Sequence, residues 1–272
     1  MDKQKRIAMI NDFCGFGRCS ITVALPIISA LKVQCCPVPT SVFSNHTAFD
    51  SFYKADFTDQ MADYISQWDK LDIGFDGILS GYLSSAKQID TVLGFINRFK
   101  TQTTTVIIDP IMGDNGRLYT AYSPELAQRM STLAFKADIL TPNLTEACIL
   151  TGTEYKDSMP QNELLEICKK LSSKGPDKIV ISGIDRGDML ENFVYNSDST
   201  YESVTVKKIG SGRPGTGDIF SAIIAADAVK GIDIVESVRH ASGFISKVLK
   251  HTCELDVPKP YGVCFEEFLC EI

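Results

Sequence analysis

The sequence predicts an α/β fold, a mostly parallel sheet with helices on both faces. Three observations carry that expectation. Short apolar runs alternate with stretches whose apolar residues recur at i, i+3, i+4 and i+7, the pattern of βαβ units. The composition is 44% hydrophobic and 22% charged over 272 residues, that of an ordinary soluble enzyme able to bury a large core. No Pro/Ser-rich linker, internal repeat or low-complexity tract divides the chain, so residues 1–272 read as one domain.

The elements follow in order. Residues 7–10 read as a strand, and Ile21, Ala24, Leu25 and Ile28 mark the first helix. Residues 33–38 read as the second strand, with residues 33–52 a candidate small flap beside the sheet. Met61, Tyr64, Ile65 and Trp68 stripe a helix before a strand at 77–79; Ile89, Val92, Leu93 and Ile96 stripe the next, before a strand at 106–108. Ile139 and Leu140 read as a strand end, Leu164, Ile167, Cys168 and Leu171 as a helix, and 179–181 as a strand. Residues 192–195 and 203–206 look antiparallel. A long, unusually apolar helix opens at Gly215, and another covers about 235–249.

Charge and cysteine usage exclude several classes. With 34 acidic and 27 basic residues the formal charge is −7, and no Lys/Arg run suggests nucleic-acid binding. No run approaches the roughly 18 apolar residues of a membrane span. The charged start leads only into residues 7–10, too short for a signal-peptide core. Nine cysteines, no C-x-x-C and three histidines argue against zinc and against a disulfide framework, so reduced thiols in the cytoplasm are expected.

In such folds ligands sit outside the carboxyl ends of the strands. The polar residues there are Asn11-Asp12, Ser44-Asn45-His46-Thr47, Ser80-Gly81-Tyr82, Asp109-Pro110, Thr141-Pro142-Asn143 and Ser182-Gly183. Any one could simply cap a helix or shape a turn. So many in one chain favour a ligand site. Gly210-Ser211-Gly212-Arg213-Pro214-Gly215 matches G-x-G-x-x-G in form only, because the helix after it leads to another helix and not to a strand. Gly215-Thr216-Gly217-Asp218 is more informative. Its glycines let backbone N–H groups converge, and the following helix adds a partial positive charge, which suits a phosphoryl group. Asp218 is either an N-cap or a proton acceptor for an alcohol attacking that phosphoryl group.

These motifs resemble the ribokinase superfamily, specifically its pyridoxal/pyridoxamine (vitamin B6) kinases. The resemblance spans nearly the whole chain. It rests on Phe43-Ser44-Asn45-His46-Thr47, Ser80-Gly81-Tyr82-Leu83, Asp109-Pro110-Ile111-Met112-Gly113-Asp114, Thr141-Pro142-Asn143-Leu144-Thr145-Glu146 and Gly215-Thr216-Gly217-Asp218. It implies a three-layer α/β/α ribokinase-like fold with a small β flap, usually a homodimer, using ATP and Mg²⁺; dependence on a monovalent cation such as K⁺ stays open. It implies Asp218 as base, with the amides of Gly215, Thr216 and Gly217 around the transferred phosphoryl group. It places Asp114 and Glu146 on the metal side, Asp109, Asn143 and Ser182 on the ATP side, and Thr47, Tyr82 and Tyr119 around the pyridine ring. A ring needs an apolar wall, which Phe43, Phe16 and Tyr82 could supply, and His46 either contacts the substrate or is a packed flap histidine. The implied reaction is phosphorylation of the 5′-hydroxyl of pyridoxal, pyridoxamine or pyridoxine, with no nucleic-acid or membrane partner.

One residue departs from the pattern. Many B6 kinases carry a serine in the segment after the first strand, where this chain has Asp12. A carboxylate there would favour the cationic amine of pyridoxamine. Hydroxymethylpyrimidine kinases of the same superfamily also have an acidic residue followed by glycines here, so that activity is the alternative. A non-catalytic B6-binding protein is the alternative from another class, against which the intact Gly215–Asp218 loop speaks.

Overall fold

Each run read as a strand becomes one, and the computed structural model, which describes residues 4–120 and 122–272, shows how they join. Residues 1–3, where the charged N-terminal start begins, and Ala121 lie outside the described residues. In chain order the elements are β1 (Arg6–Cys14), α1 (Ile21–Ala30), β2 (Gln34–Phe43), β3 (Lys54–Asp56), α2 (Met61–Lys70), β4 (Gly77–Ser80), α3 (Ala86–Phe99), β5 (Thr105–Ile108), β6 (Gly113–Asp114) and β7 (Arg117–Leu118). They continue with α4 (Pro124–Ala134), β8 (Ile139–Leu140), α5 (Leu144–Thr151), α6 (Gln161–Ser172), β9 (Lys178–Arg186), β10 (Met189–Asn196), β11 (Tyr201–Lys207), α7 (Thr216–Val229) and α8 (Ile234–Glu254).

Nine of these strands form one sheet in the order β11-β10-β9-β8-β5-β4-β1-β2-β3. The six central strands, β9 to β2, run parallel, and β3, β10 and β11 pair antiparallel at the margins. Alternate side chains of each strand serve opposite cores. Ile7 and Met9 of β1 join Leu79 and Ile107 beneath α1, α7 and α8. Ala8 and Ile10 join Ile78, Val106 and Ile108 beneath α2 to α6. The result is a three-layer α/β/α arrangement. Helix α7 is apolar on all sides because it is covered on all sides: every residue from Ile219 to Asp227 is buried.

Several expectations are corrected. The second strand does not stop at residue 38 but runs to Phe43. Pro37 and Pro39 hide its length, yet they are tolerated because β3 pairs only from Ser41 onward, leaving their other side without a ladder partner. Half of the expected flap at 33–52 is therefore a strand of the main sheet, and the projecting hairpin covers residues 41–56. Helix α4 and the small β6–β7 hairpin were not expected from periodicity. The start of α4 is nonetheless written in Ser123-Pro124: the Ser123 hydroxyl accepts from the Leu126 N–H, and Pro124 occupies the first turn.

The topology positions the site. β1 has β2 on one side and β4 on the other, so the chain reverses its direction of travel across the sheet there. Crevices open outside the carboxyl ends of strands at such a switch point. Asn11-Asp12 lies in the carboxyl-terminal half of β1, and Ser80-Gly81-Tyr82 ends β4.

Candidate active site

The floor of the crevice is the start of α7. Gly215 caps it at φ 87°. A Cβ at Gly215 would lie 2.2 Å from the Arg18 carbonyl oxygen, so only glycine lets the β1–α1 loop pack against the helix start. The first-turn N–H groups have no intrahelical partner and remain available to an anion. Asp218 is the third residue of the helix, not its N-cap, so the capping reading falls away.

Asp218 is held from the side by Asn11, whose Nδ2 donates to Asp218 Oδ1 at 3.3 Å. The next residue, Asp12, sits where the β1–β2 register slips between Asn11 and Phe13. Such an irregularity turns a side chain out of the sheet's alternation, commonly beside an active site. Asp12 is buried, and burial pushes its carboxyl up to about 7; the Ser20 hydroxyl opposes the rise, and the nearby Asp218 adds to it. Asp218 is itself raised, again by burial, against the Ser20 N–H and the Asn11 amide that favour its charged form. Ser20 adopts φ 60°, a strained conformation for a non-glycine residue, at this point of contact.

A second acidic group lies at the ends of β5 and β8. Asp109 is pushed well above the usual carboxylate range by burial, then by Glu146 and Asp218. Glu146 is buried, which raises it to about 8, although it accepts from the N–H groups of Met112 at 3.0 Å and Asn143 at 2.9 Å. Asn143 returns the bond, its Oδ1 accepting from the Glu146 N–H at 3.0 Å, while its Nδ2 donates to the Gly113 carbonyl at 2.8 Å. These two residues therefore form the capping box of α5 as well as facing the site. Asp114 is exposed at the tip of the β6–β7 hairpin and raises Glu146. Ser182 bridges to Asn143 in parallel register at the end of the β9 core.

Among the described residues no three metal-ligating side chains converge. That donor set suits Mg²⁺, which takes one or two carboxylates and completes its shell with water and phosphate oxygens. Carboxyl groups that raise one another's pKa are also a place where a cation is favoured.

The other side is aromatic. Phe43 is buried, with its ring centroid 6.2 Å from that of Tyr82 and 5.9 Å from that of Phe52, and the Lys54 ammonium lies 5.6 Å from the Phe43 centroid. Burial pushes the Tyr82 phenol to about 12, and Asp12 and Asp56 add to the rise. Thr47 stands exposed on the loop after β2. His46 is packed in the flap: Nδ1 accepts from the Ala48 N–H at 3.1 Å, so Nε2 carries the proton and donates to the Pro260 carbonyl at 2.6 Å. Only its ring face is left for a ligand. Tyr119 falls on the acidic side: its phenol is raised by burial first, then by Glu146, Asp114, Asp109 and Asp218.

The structure thus brings Asp12 and Asp109 beside Asp218 at the start of α7, with Glu146 beyond Asp109, and Phe43 and Tyr82 on the side of Asp12. The sequence places Asn11 among the strand-end polar residues but assigns it no role. Its only signal was its place beside Asp12 at a strand end.

A family model described as phosphomethylpyrimidine kinase matches residues 21–261. A Bacteroides thetaiotaomicron protein provisionally classed as a phosphomethylpyrimidine kinase is 37% identical; its crystal structure superposes with a TM-score of 0.97, covering 99% of this chain and 94% of that one. A second crystal form of that protein, with pyridoxal, gives a TM-score of 0.95. The pyridoxal kinase of Arabidopsis thaliana is 30% identical over 199 residues, which cover 69% of this chain and 62% of that protein. A pyridoxal kinase of Aliivibrio fischeri is 26% identical, covering 91% of this chain and 89% of that protein.

Proposed function

The chain belongs to the phosphomethylpyrimidine kinase family, and on that premise we propose that it transfers the terminal phosphoryl group of ATP to the 5′-hydroxyl of pyridoxal, pyridoxamine and pyridoxine, a salvage route to pyridoxal 5′-phosphate. The observation that carries the reading is the Asp218 carboxylate inside the first turn of a glycine-opened helix, joined through the Asn11 amide to the backbone of Tyr82, whose ring pairs with Phe43. Relatives called pyridoxal kinases, and pyridoxal in the crystals of the 37%-identical protein, favour a B6 ring over a pyrimidine.

Phe43 and Tyr82 hold the ring, leaving its hydroxymethyl arm toward α7. Asp218 accepts the hydroxyl proton as the oxygen attacks the γ-phosphorus, and the bond from that phosphorus to the β-phosphate oxygen breaks, releasing ADP. The raised pKa of Asp218 brings it nearer working pH, which makes it a better base than an ordinary aspartate. The amides of Gly215, Thr216 and Gly217 meet the charge on the transferring group. Mg²⁺ would be held by Asp114 and Glu146 and would neutralise phosphate charge; Asp109, Asn143 and Ser182 would face the nucleotide.

The reading includes a cytoplasmic homodimer. All nine cysteines are free, as reducing conditions require, and Phe52 and Tyr53 are exposed beside the edge strand β3, where a second copy would cover them. Light scattering at micromolar concentration tests the dimer.

The decisive assay is ADP release with Mg²⁺ and ATP against pyridoxal, pyridoxine, pyridoxamine and hydroxymethylpyrimidine, in KCl and in a K⁺-free buffer. Turnover on a B6 vitamer is expected. Turnover on the pyrimidine alone would move the chain to thiamine synthesis. Silence on all four with tight pyridoxal binding would leave a non-catalytic binder. Asp218→Asn should lose roughly 10²–10⁴ in kcat with little change in KM.

A further inference from the structure

Asn11 is 1% exposed, and both polar atoms of its amide are engaged. Oδ1 accepts from the Asp12 N–H at 3.0 Å and from the Tyr82 N–H at 2.8 Å. Two N–H donors at one atom leave a single orientation of the amide, because the NH₂ end has no lone pair to offer them. The NH₂ group therefore donates, and its partner is Asp218 Oδ1. The fit is close: a Cβ on Gly81 would lie 2.7 Å from Asn11 Cγ and Nδ2, so the turn after β4 needs glycine to reach the amide.

We propose that Asn11 is the positioning residue that registers the proton-accepting carboxylate against the ring wall: its amide fixes Oδ1 of Asp218, leaving Oδ2 to take the alcohol proton, while its carbonyl fixes the backbone of Tyr82. One side chain thus sets the distance between base and bound ring. The inference rests on the reading of Asp218 as base and not on which alcohol is phosphorylated. The titratable groups facing Asp218 are Asp12 on β1, Asp109 after β5, Tyr119 after β7 and the thiols of Cys14 and Cys19; each is neutral or negative. The Ser20 N–H, the Asn11 amide and the N–H of Asp218 itself favour the charged form, and Asn11 is the one side chain among them.

Asn11→Asp tests the role. It keeps the shape and the oxygen that accepts both backbone N–H groups, but replaces the donor at Asp218 by an acceptor. With the wild-type acceptor alcohol, KM should stay within about two-fold while kcat falls on the order of 10²-fold. The acidic limb of the kcat–pH profile should move up by about one unit. Asn11→Ser, which loses both functions, should weaken acceptor binding as well. Independently of turnover, the ¹³C-carboxyl resonance of Asp218, identified by its loss in Asp218→Asn, should titrate at higher pH in both variants. An Asn11→Asp enzyme with the wild-type kcat and acidic limb, or a kcat loss with limb and Asp218 titration unmoved, would overturn the proposal. If the wild type phosphorylates no B6 vitamer, the substrate reading falls while the Asp218 titration still decides the role of Asn11.

Discussion

Asp12 shows how one residue can tune a substrate preference through its environment. Burial lifts its carboxyl to about 7, so it is largely neutral at pH 6 and largely ionised at pH 8. The amine of pyridoxamine stays cationic over that range, whereas pyridoxal offers no such charge. The attraction therefore grows as pH rises, worth on the order of 1–4 kcal/mol once Asp12 is charged. The ratio of kcat/KM for pyridoxamine over pyridoxal should climb between pH 6 and 8 and become flat in Asp12→Ser. A ratio that ignores pH in the wild type would remove Asp12 from amine selection. At the same scale, His46 shows the limit of motif reading: the residue type matched, but both ring nitrogens are spent on backbone partners.

At the scale of elements, the start of α7 separates two glycines that the sequence presents as equals. Gly215 is locked by its positive φ and by the Arg18 carbonyl, whereas a Cβ at Gly217 would meet nothing within 4 Å. Gly217→Ala should therefore fold well, and even gain up to about 1 kcal/mol from helix propensity. Its methyl group would nonetheless crowd the amides offered to the phosphoryl group. The expected result is an equal or higher Tm in thermal melts with a lower kcat; Gly215→Ala should lose both. Unchanged turnover in Gly217→Ala would take that amide out of the phosphoryl cradle. The strands were legible as short continuous apolar runs, as at Ile7–Ile10, and most helices because their apolar residues repeat at a fixed period, as from Leu164 to Leu171. The length of β2 was not, because its prolines read as breakers until its pairing partners are known. The place of Asp218 in the first turn of a helix was legible from the two glycines just before it. Asn11 was not, since its partners lie 71 and 207 positions away and only the strand order brings them together.

For the whole molecule, the crevice is a cost to stability that a ligand can relieve. Asp12, Glu146 and Asp109 all have carboxyl groups raised above their unfolded values. Such a group binds its proton more tightly folded than unfolded, so its stabilising contribution is complete below the unfolded pKa near 4 and is lost as pH rises through the folded value. For Asp12 and Glu146 that loss is complete above about 7 and about 8. Asp227 runs the other way: despite its burial, His240 and Lys230 hold it below the usual range, so it stays ionised throughout this window and adds no slope. The Tm of the free protein should therefore fall between about pH 5 and 8, opposite to the trend of a protein whose carboxylates are paired with cations. Asp12→Asn should flatten part of the fall. Saturating Mg²⁺ with ATP should flatten it further, because a cation among the ionised carboxylates offsets their mutual repulsion, and EDTA should restore it. A Tm that rises steadily from pH 5 to 8 would mean that the carboxylates around α7 are already compensated within the fold, and that the crevice holds no strain for a cation to relieve.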